Sequence, residues 1–346
     1  MIIKNKYQRF NKKNNIRTIA EIGQAHDGSL GLAHSYIDAL KNTGISAIKF
    51  QVHFADAESS INEKFRKKFS YKDKTRYDYW KRIEFSKEEW ARIFTHCKKN
   101  KLHFIASPFS MESVDLLQKI GCQTFKIASG EINNYLMIDK IIQLKKEVIL
   151  SSGLSNFNEI DKTVKKIKKN KINLSILQCT TEYPTQVKNI GLNVINEIKK
   201  RYNVPSGLSD HSGNVNTLLA ASAVGAELLE FHVTFHKKSF GPDSSSSIEV
   251  EKVGELVKNV NYIKECVGYK LDKSKIIINK KLKKIFSKSL AINKNLNKNQ
   301  KIKIQDLETK KPGGKGIDAK DYKKIIGKTM NKNMTRNSFL NMKDIK

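Results

Sequence analysis

Eight short apolar runs between residues 18 and 234, separated by amphipathic stretches of helical length, constrain this chain more than any other feature. The runs are "TIAEIG", "AIKFQVH", "HFIASPF", "TFKIAS", "VILSSG", "LSILQCT", "PSGLSD" and "LLEFHVT". They are rich in β-branched and aromatic residues, as strands are, and the segments between them have the 3.6-residue periodicity of helices. Examples are "LAHSYIDALKNTG", "SKEEWARIFTHCKKN", "MESVDLLQKIG" and "FNEIDKTVKKIKKN", several of which end in Gly or Asn as helix stops do. A last periodic stretch, "IEVEKVGELVKNVNYIKECVG", closes the series. Eight strands, each followed by a helix, within about 250 residues predict an α/β fold of the (β/α)₈ barrel type over an open doubly wound sheet. No GxGxxG follows the first strand, so a dinucleotide-binding reading has no support.

The barrel is expected over residues 1–268. Residues 54–85 are too long for an ordinary βα loop and too aromatic for a loose one, and are expected to cover the barrel mouth. Residues 269–283 are lysine-rich without clear helical periodicity and read as a linker. From 284 to 346 the pattern becomes short β-like runs around "KKPGGKG", a small β-rich module.

Charge is less informative than its size suggests. The net charge of +31 would suit nucleic acid, but residues 270–346 hold 23 Lys and Arg against 6 Asp and Glu, over half the excess. There the lysines are scattered among Asn and Ile instead of alternating with aromatics, so no specific nucleic-acid surface is expected. The pattern is compatible with a small anionic substrate. No apolar run approaches the ~18 residues that span a bilayer. The stretch "MIIKNKYQRFNKKNN" lacks the apolar core of a secretory signal, which together predict a soluble cytoplasmic protein with no membrane partner. The four cysteines show no CxxC spacing, so buried free thiols are expected.

In such barrels chemistry sits at the C-terminal ends of the strands. There the sequence places Glu21, Lys49 and Gln51, Ser107, Lys126, Ser129 and Glu131, Ser151, Thr181 and Tyr183, Ser209, Asp210 and His211, and Glu230 and His232. Any one of these is ordinarily a satisfied buried polar group. All of them at one rim are not, because a buried lysine is costly unless an anion accompanies it. Two lysines with clustered serines suit a phosphate and a carboxylate. His211 and His232, on neighbouring strands, would aim two imidazoles at one mouth, where a divalent ion of the Mn²⁺, Fe²⁺ or Zn²⁺ kind could bind. His26, His53 and His236 also lie near strand ends and read as loop or lining residues. "GLSDHSG" taken alone is a turn.

The ordered blocks "AEIGQAHDGS", "IKFQ", "ASPFS", "FKIASGEINNY", "ILSSGL", "CTTEYPT", "GLSDHSG", "EFHVTF" and "GPDSSSS" resemble the sialic acid synthase (N-acetylneuraminate synthase) family. That family joins a TIM barrel to a C-terminal antifreeze-like (SAF) domain, which "SLAINKNLNKNQKIKIQDLETKKPGGKG" resembles. The resemblance covers residues 16 to 340. It implies condensation of phosphoenolpyruvate with the open-chain aldehyde of an N-acetylated amino sugar, giving a nine-carbon 2-keto acid and phosphate. It implies His211 and His232 as ligands of a divalent metal, Mn²⁺ first with Mg²⁺ or Co²⁺ as alternatives, and Asp210 as a positioning carboxylate. Lys49, Ser107, Lys126, Ser129, Ser151 and Ser209 match positions that hold phosphoenolpyruvate. Glu21, Gln51, Glu131, Tyr183 and Asp243 match positions at the sugar or its carbonyl, with Glu21 a candidate for handling the attacking water. The resemblance also implies a homodimer in which each antifreeze-like domain caps the partner's barrel.

Three departures bear on the substrate. Thr181 stands where the family often has Asn, shortening a donor to the phosphate; Lys311 stands for the arginine of an "RPG" block, a point charge in place of a planar fork. The eighth strand reads "EFHVTFH" where a basic residue commonly precedes the histidine. N-acetylmannosamine and di-N-acetylated 6-deoxy hexoses are the candidate acceptors. The alternatives are a 3-deoxy-heptulosonate-type synthase and an inactive barrel that binds sugar or nucleic acid.

Overall fold

The computed structural model describes residues 15–65, 68–275 and 278–346; most of the stretch on which the absence of a secretory signal was argued lies outside them. The chain forms two compact units, one ending at Tyr269 and one spanning Lys270–Lys346.

All eight expected strands form: β1 (Arg17–Gly23), β2 (Ala47–Val52), β3 (His103–Pro108), β4 (Thr124–Ile127), β5 (Glu147–Ser151), β6 (Leu174–Cys179), β7 (Ser206–Asp210) and β8 (Leu228–Thr234). Each pairs in parallel with the next, and β8 pairs with β1, closing the barrel. A short strand, Ile248–Glu249, adds to β8 beyond the closure. Helices follow the strands, and several start on side-chain caps: Ser86 with Glu89, Asn156 with Glu159, and Ser110 with Ser113 each form a reciprocal capping box. None among the described residues is long and apolar enough to cross a membrane.

Strand periodicity positions the site. Ile19, Ala47, Ile105, Ile149, Leu177 and Leu228 form an apolar cluster of their own, apart from the larger core beneath the helices. Because side chains two apart on a strand share a face, the next inward residues on the same six strands are Glu21, Lys49, Ser107, Ser151, Cys179 and Glu230. A dry layer thus underlies a polar one. Register keeps it level: Glu21 lies opposite both Lys49 and His232, and Ser209 opposite Glu230. Gly207 begins the "GLSDHSG" block for a steric reason, since a Cβ there would collide with the backbone of Leu228 on β8.

The segment 54–85 folds into helices Ala55–Glu58 and Arg76–Ile83, the second started by a Thr75–Asp78 capping box. Ala55, Tyr79, Trp80 and Ile83 form a separate apolar cluster with Phe65, Phe69 and Tyr77 against it. Its aromatic composition thus builds a small core of its own from its described residues.

Among the described residues of the second unit only Ser289–Ile292 and Leu307–Lys310 are regular strands beyond two residues, paired antiparallel. Isolated bridges such as Leu296 with Met334 and Met330 with Ile345, and 3₁₀ turns, complete it. Its apolar runs are too short to extend the ladder further. Its two halves repeat one design. Lys294 pairs with buried Asp306 and Lys332 with buried Asp344, at 2.6 and 2.7 Å, and both aspartates cap a 3₁₀ turn from its third position. Asn299 and Asn337 hold equivalent left-handed turns. The expected linker over 269–283 is not wholly irregular: a 3₁₀ turn spans Lys273–Lys275, and a helix, Lys280–Phe286, begins there on an Asn279 cap. Leu282, Ile285 and Phe286 are at least half exposed or nearly so, so no buried stripe was present to mark it as a helix.

Candidate active site

A cavity of about 740 Å³ opens over the polar layer and is lined from β1 round to the loop after β8. At its floor four charged side chains meet. Lys126 Nζ lies 2.7 Å from Glu230 Oε1, and Lys49 Nζ lies 3.2 Å from the same oxygen while also pairing with Glu21. Ser209 Oγ donates to Glu230 at 2.9 Å and Lys49 to Ser107 Oγ at 3.4 Å. None of the four charged side chains is more than 5% exposed, so each charge depends on the others. Burial pushes the Glu230 carboxyl up, but Lys126 and Lys49 together outweigh it and hold the group well below the usual range. For Glu21 burial prevails over Lys49, and its carboxyl is raised. Burial lowers Lys126 against the pull of Glu230.

Beside Lys126 is a cradle of hydroxyls. Ser129, on a 3₁₀ turn after β4, together with Ser151 and Thr181, faces the cavity around Gly153. A Cβ at Gly153 would come within 2.7 Å of Thr181 Oγ1 and strike Ser129, so glycine keeps this space open. Thr181 Oγ1 is buried without a hydrogen-bond partner among the described residues, a donor left for something bound here.

The imidazoles stand next to this cradle. His211 Nδ1 donates to the Thr180 carbonyl at 2.8 Å, leaving Nε2 as the lone-pair nitrogen, which accepts from the Tyr183 hydroxyl at 3.0 Å. The Tyr183 and His211 rings stack at 4.1 Å, and the His211 and His232 ring centres lie 5.4 Å apart. Asp243 Oδ2 is 3.7 Å from His232 Nδ1, and burial lowers His232 to about 4, so its imidazole is neutral at neutral pH. Burial lowers His211 too, but the Cys179 thiol 4.0 Å from its Nδ1 outweighs it and raises the group; two imidazoles with a carboxylate nearby suit a divalent ion, which takes their neutral form. Among the described residues no group of three or more His, Cys, Asp and Glu encloses an ion, so such an ion would take its other ligands from outside the chain.

Further out, Gln51 accepts from His53 at 3.1 Å, and His53 is sandwiched between Trp80 and Phe109 at 3.9 and 4.4 Å. Glu131 accepts from Asn134, and burial raises its carboxyl. Glu58, Glu63 and Arg76 bring the segment 54–85 into the wall.

The cavity gathers Glu21, Lys49, Gln51, Ser107, Lys126, Ser129, Glu131, Ser151, Thr181, Tyr183, Ser209, His211, His232 and Asp243. Two expected residues are not in its lining. Asp210 alternates away from Ser209 and His211 and holds the turn, accepting from Ser212 Oγ at 2.9 Å. Lys311 belongs to the second unit, where its ammonium lies 5.4 Å from the Phe286 ring centre. His26 is also absent from the lining; it accepts from the Gly28 amide and packs on Phe85. Sequence reasoning put Glu230 at the rim but gave it no role, though the rule that buried lysines need a carboxylate pointed to it as the central counter-charge. It left out Cys179, read only as a buried thiol, whose Sγ lies 3.5 Å from Ser129 Oγ. Tyr79, Trp80 and Arg76 had no periodic signal tying them to the mouth.

The sequence model of the NeuB family matches residues 36–272. The chain is 33% identical to N,N'-diacetyllegionaminic acid synthase of Campylobacter jejuni, over 91% of this chain and 96% of that one. It is 29% identical to human N-acetylneuraminate-9-phosphate synthase, over 90% and 87%. The crystal structure of N-acetylneuraminic acid (sialic acid) synthetase from Leptospira borgpetersenii, in complex with citrate, superposes with a TM-score of 0.68 at 30% identity, covering 75% of this chain and 89% of that one. With two buried lysines, a hydroxyl cradle and paired imidazoles in one barrel mouth, and with these matches along nearly its whole length, the chain belongs to the NeuB family.

Proposed function

We propose that the protein condenses phosphoenolpyruvate with the open-chain aldehyde of an N-acetylated amino sugar, yielding a nine-carbon 2-keto sugar acid and inorganic phosphate. The observation that carries this reading is the floor of the cavity: Lys126 and Lys49 lie beside the hydroxyl cradle, and the imidazoles lie within reach of the same space. Lys126 and Lys49 meet in this floor, where an anionic donor would find basic partners already brought together.

In this reading Lys126, Ser129, Ser151 and Thr181 hold the phosphate, and Lys49, Ser107 and Ser209 orient the rest of the donor. Carbon 3 of phosphoenolpyruvate then bonds to the aldehyde carbon, water adds at carbon 2, and C–O cleavage releases phosphate. Glu21, fixed by the Gly23 amide and Lys49, handles the proton of that water. Gln51, Glu131, Tyr183 and Asp243 position the sugar. His211 and His232 would hold a divalent ion, Mn²⁺ first, which when bound polarises the aldehyde oxygen.

The internally repeated second unit is the counterpart of the antifreeze-like domain, with Lys311 in place of its usual arginine. A homodimer in which that domain serves the partner's barrel is supported by the apolar face of the Lys280–Phe286 helix, where Leu282, Ile285 and Phe286 stand exposed. The strength of the matches to nonulosonate synthases favours this chemistry over the heptulosonate alternative. Phosphate release from phosphoenolpyruvate, measured with N-acetylmannosamine and with di-N-acetylated 6-deoxy hexoses, tests it. Sugar-dependent release with at least one acceptor is expected; none above the sugar-free rate would remove the reading.

A further inference from the structure

The outer wall of the cavity contains a buried polar group that the proposed chemistry does not use. Tyr79 lines the cavity and is 1% exposed, yet its hydroxyl has no hydrogen-bond partner among the described residues. A phenol removed from water and left unpaired lowers stability unless something satisfies it. Burial, together with Asp27 and Asp243, holds the phenol well above its usual range, so it stays a hydrogen-bond donor. Its ring lies among aromatics, with the Arg82 guanidinium 5.3 Å from its centre. Phe69 meets the Tyr79 ring edge-on at 4.9 Å and Phe65 lies 6.2 Å away, all three carried by the segment 54–85.

Charge narrows what can sit there. The outer lining carries Glu58, Glu63, Glu131 and Asp243; His53 pairs with Glu58 at 2.7 Å and His232 lies 3.7 Å from Asp243, while Arg76 is engaged by Glu63 at 3.1 Å and lies over Trp80 at 5.1 Å. A phosphorylated acceptor would set its phosphate among carboxylates, so the acceptor is uncharged. A hydroxyl on the sugar would satisfy the phenol but leave the aromatic wall unmatched. A bare methyl would match the wall and leave the phenol unpaired. An acylamino group does both, its carbonyl accepting from the phenol and its methyl lying on the rings.

The geometry points to Tyr79, with Phe65 and Phe69, as the subsite for a second acylamino group on an uncharged acceptor sugar. This makes the segment 54–85 the specificity element, and it rests on the condensation reading given above.

The test compares wild type, Tyr79→Phe and Phe69→Ala with two acceptors, N-acetylmannosamine and a di-N-acetylated 6-deoxy hexose. Tyr79→Phe removes one oxygen and keeps the ring, and near-ultraviolet circular dichroism checks the fold of both variants. The expected result is a KM for the di-N-acetylated acceptor raised about tenfold by Tyr79→Phe, the worth of one hydrogen bond to a buried partner. Its kcat, the KM for phosphoenolpyruvate and both constants for N-acetylmannosamine stay within about twofold. Phe69→Ala narrows the preference in the same direction. Equal effects on both acceptors, or no effect on either, overturn the subsite. Calorimetric titration of the two sugars into each protein with phosphoenolpyruvate present separates this failure from failure of the reaction. A wild type that turns over neither sugar but binds the di-N-acetylated one more tightly, through Tyr79, sinks the chemistry and keeps the subsite. A wild type without that binding preference sinks the subsite whatever the turnover.

Discussion

Lys126 Nζ and Glu230 Oε1, 104 residues apart in sequence, lie 2.7 Å apart in the floor of the barrel, with both side chains almost wholly out of water. Neither charge is tolerable there alone. Removing one partner of such a pair typically costs about 3–5 kcal/mol, because the other remains buried and uncompensated.

Glu230→Gln is therefore expected to lower stability by roughly that amount, leaving Lys126 without its carboxylate. Lys126→Met is milder, because Glu230 keeps Lys49 and Ser209. Its main expected effect is a KM for phosphoenolpyruvate raised at least tenfold with the sugar KM little changed, read from initial rates against each substrate. A change confined to the sugar would show that the donor site has been put in the wrong half of the cavity.

Metal removal tests the imidazole pair. Protein stripped by a chelator is expected to lose turnover and regain it with Mn²⁺, and His211→Ala and His232→Ala are each expected to abolish that recovery. Full turnover after metal removal verified by elemental analysis would falsify the metal assignment.

Stability should fall on mild acidification. Burial lowers His26 to about 3 and His103 to about 4, whereas both titrate near 6.5 when unfolded. Between those values the unfolded chain binds more protons, so stability present above pH 6.5 is lost as the pH falls towards 4. At pH 5.5 each histidine is expected to remove about 1 kcal/mol. Urea unfolding at pH 7.5 and 5.5 measures the loss, and His103→Gln should reduce it; an unchanged difference in the variant would discount this cause.

Subunit exchange tests the role proposed for Lys311. His211→Ala, with an intact second unit, and Lys311→Glu, with an intact barrel, are each expected to be inactive as dimers. Unfolded, mixed equally and reassembled, about half the dimers are mixed, and a swapped arrangement gives each of these one intact site. About a quarter of wild-type turnover should return. With subunit exchange verified by size and assay, a mixture as inactive as its parents means that no cap is shared.

Much of the site was legible in the sequence because a strand has a period of two. Once the eight runs are strands of a parallel barrel, Glu21, Lys49, Ser107, Ser151 and His232 fall on the inner face near the mouth by counting alone. The same count turns Asp210 away from the cavity, between Ser209 and His211. What counting cannot supply is which charges meet. Glu230 becomes the shared partner of Lys126 and Lys49 only when β8 closes against β1 and brings the opposite sides of the barrel to one centre. Length and aromatic content put the segment 54–85 at the mouth, but local sequence does not say which of its side chains meet, because Tyr79 and Trp80 pack through contacts with Phe65, Phe69 and His53 that no periodicity encodes. The sequence determined the strands and the face each polar residue takes, both local properties of the backbone. Barrel closure decided the pairing of charges and the walls of the cavity, because burial and Coulomb attraction act between residues that only the tertiary fold makes neighbours.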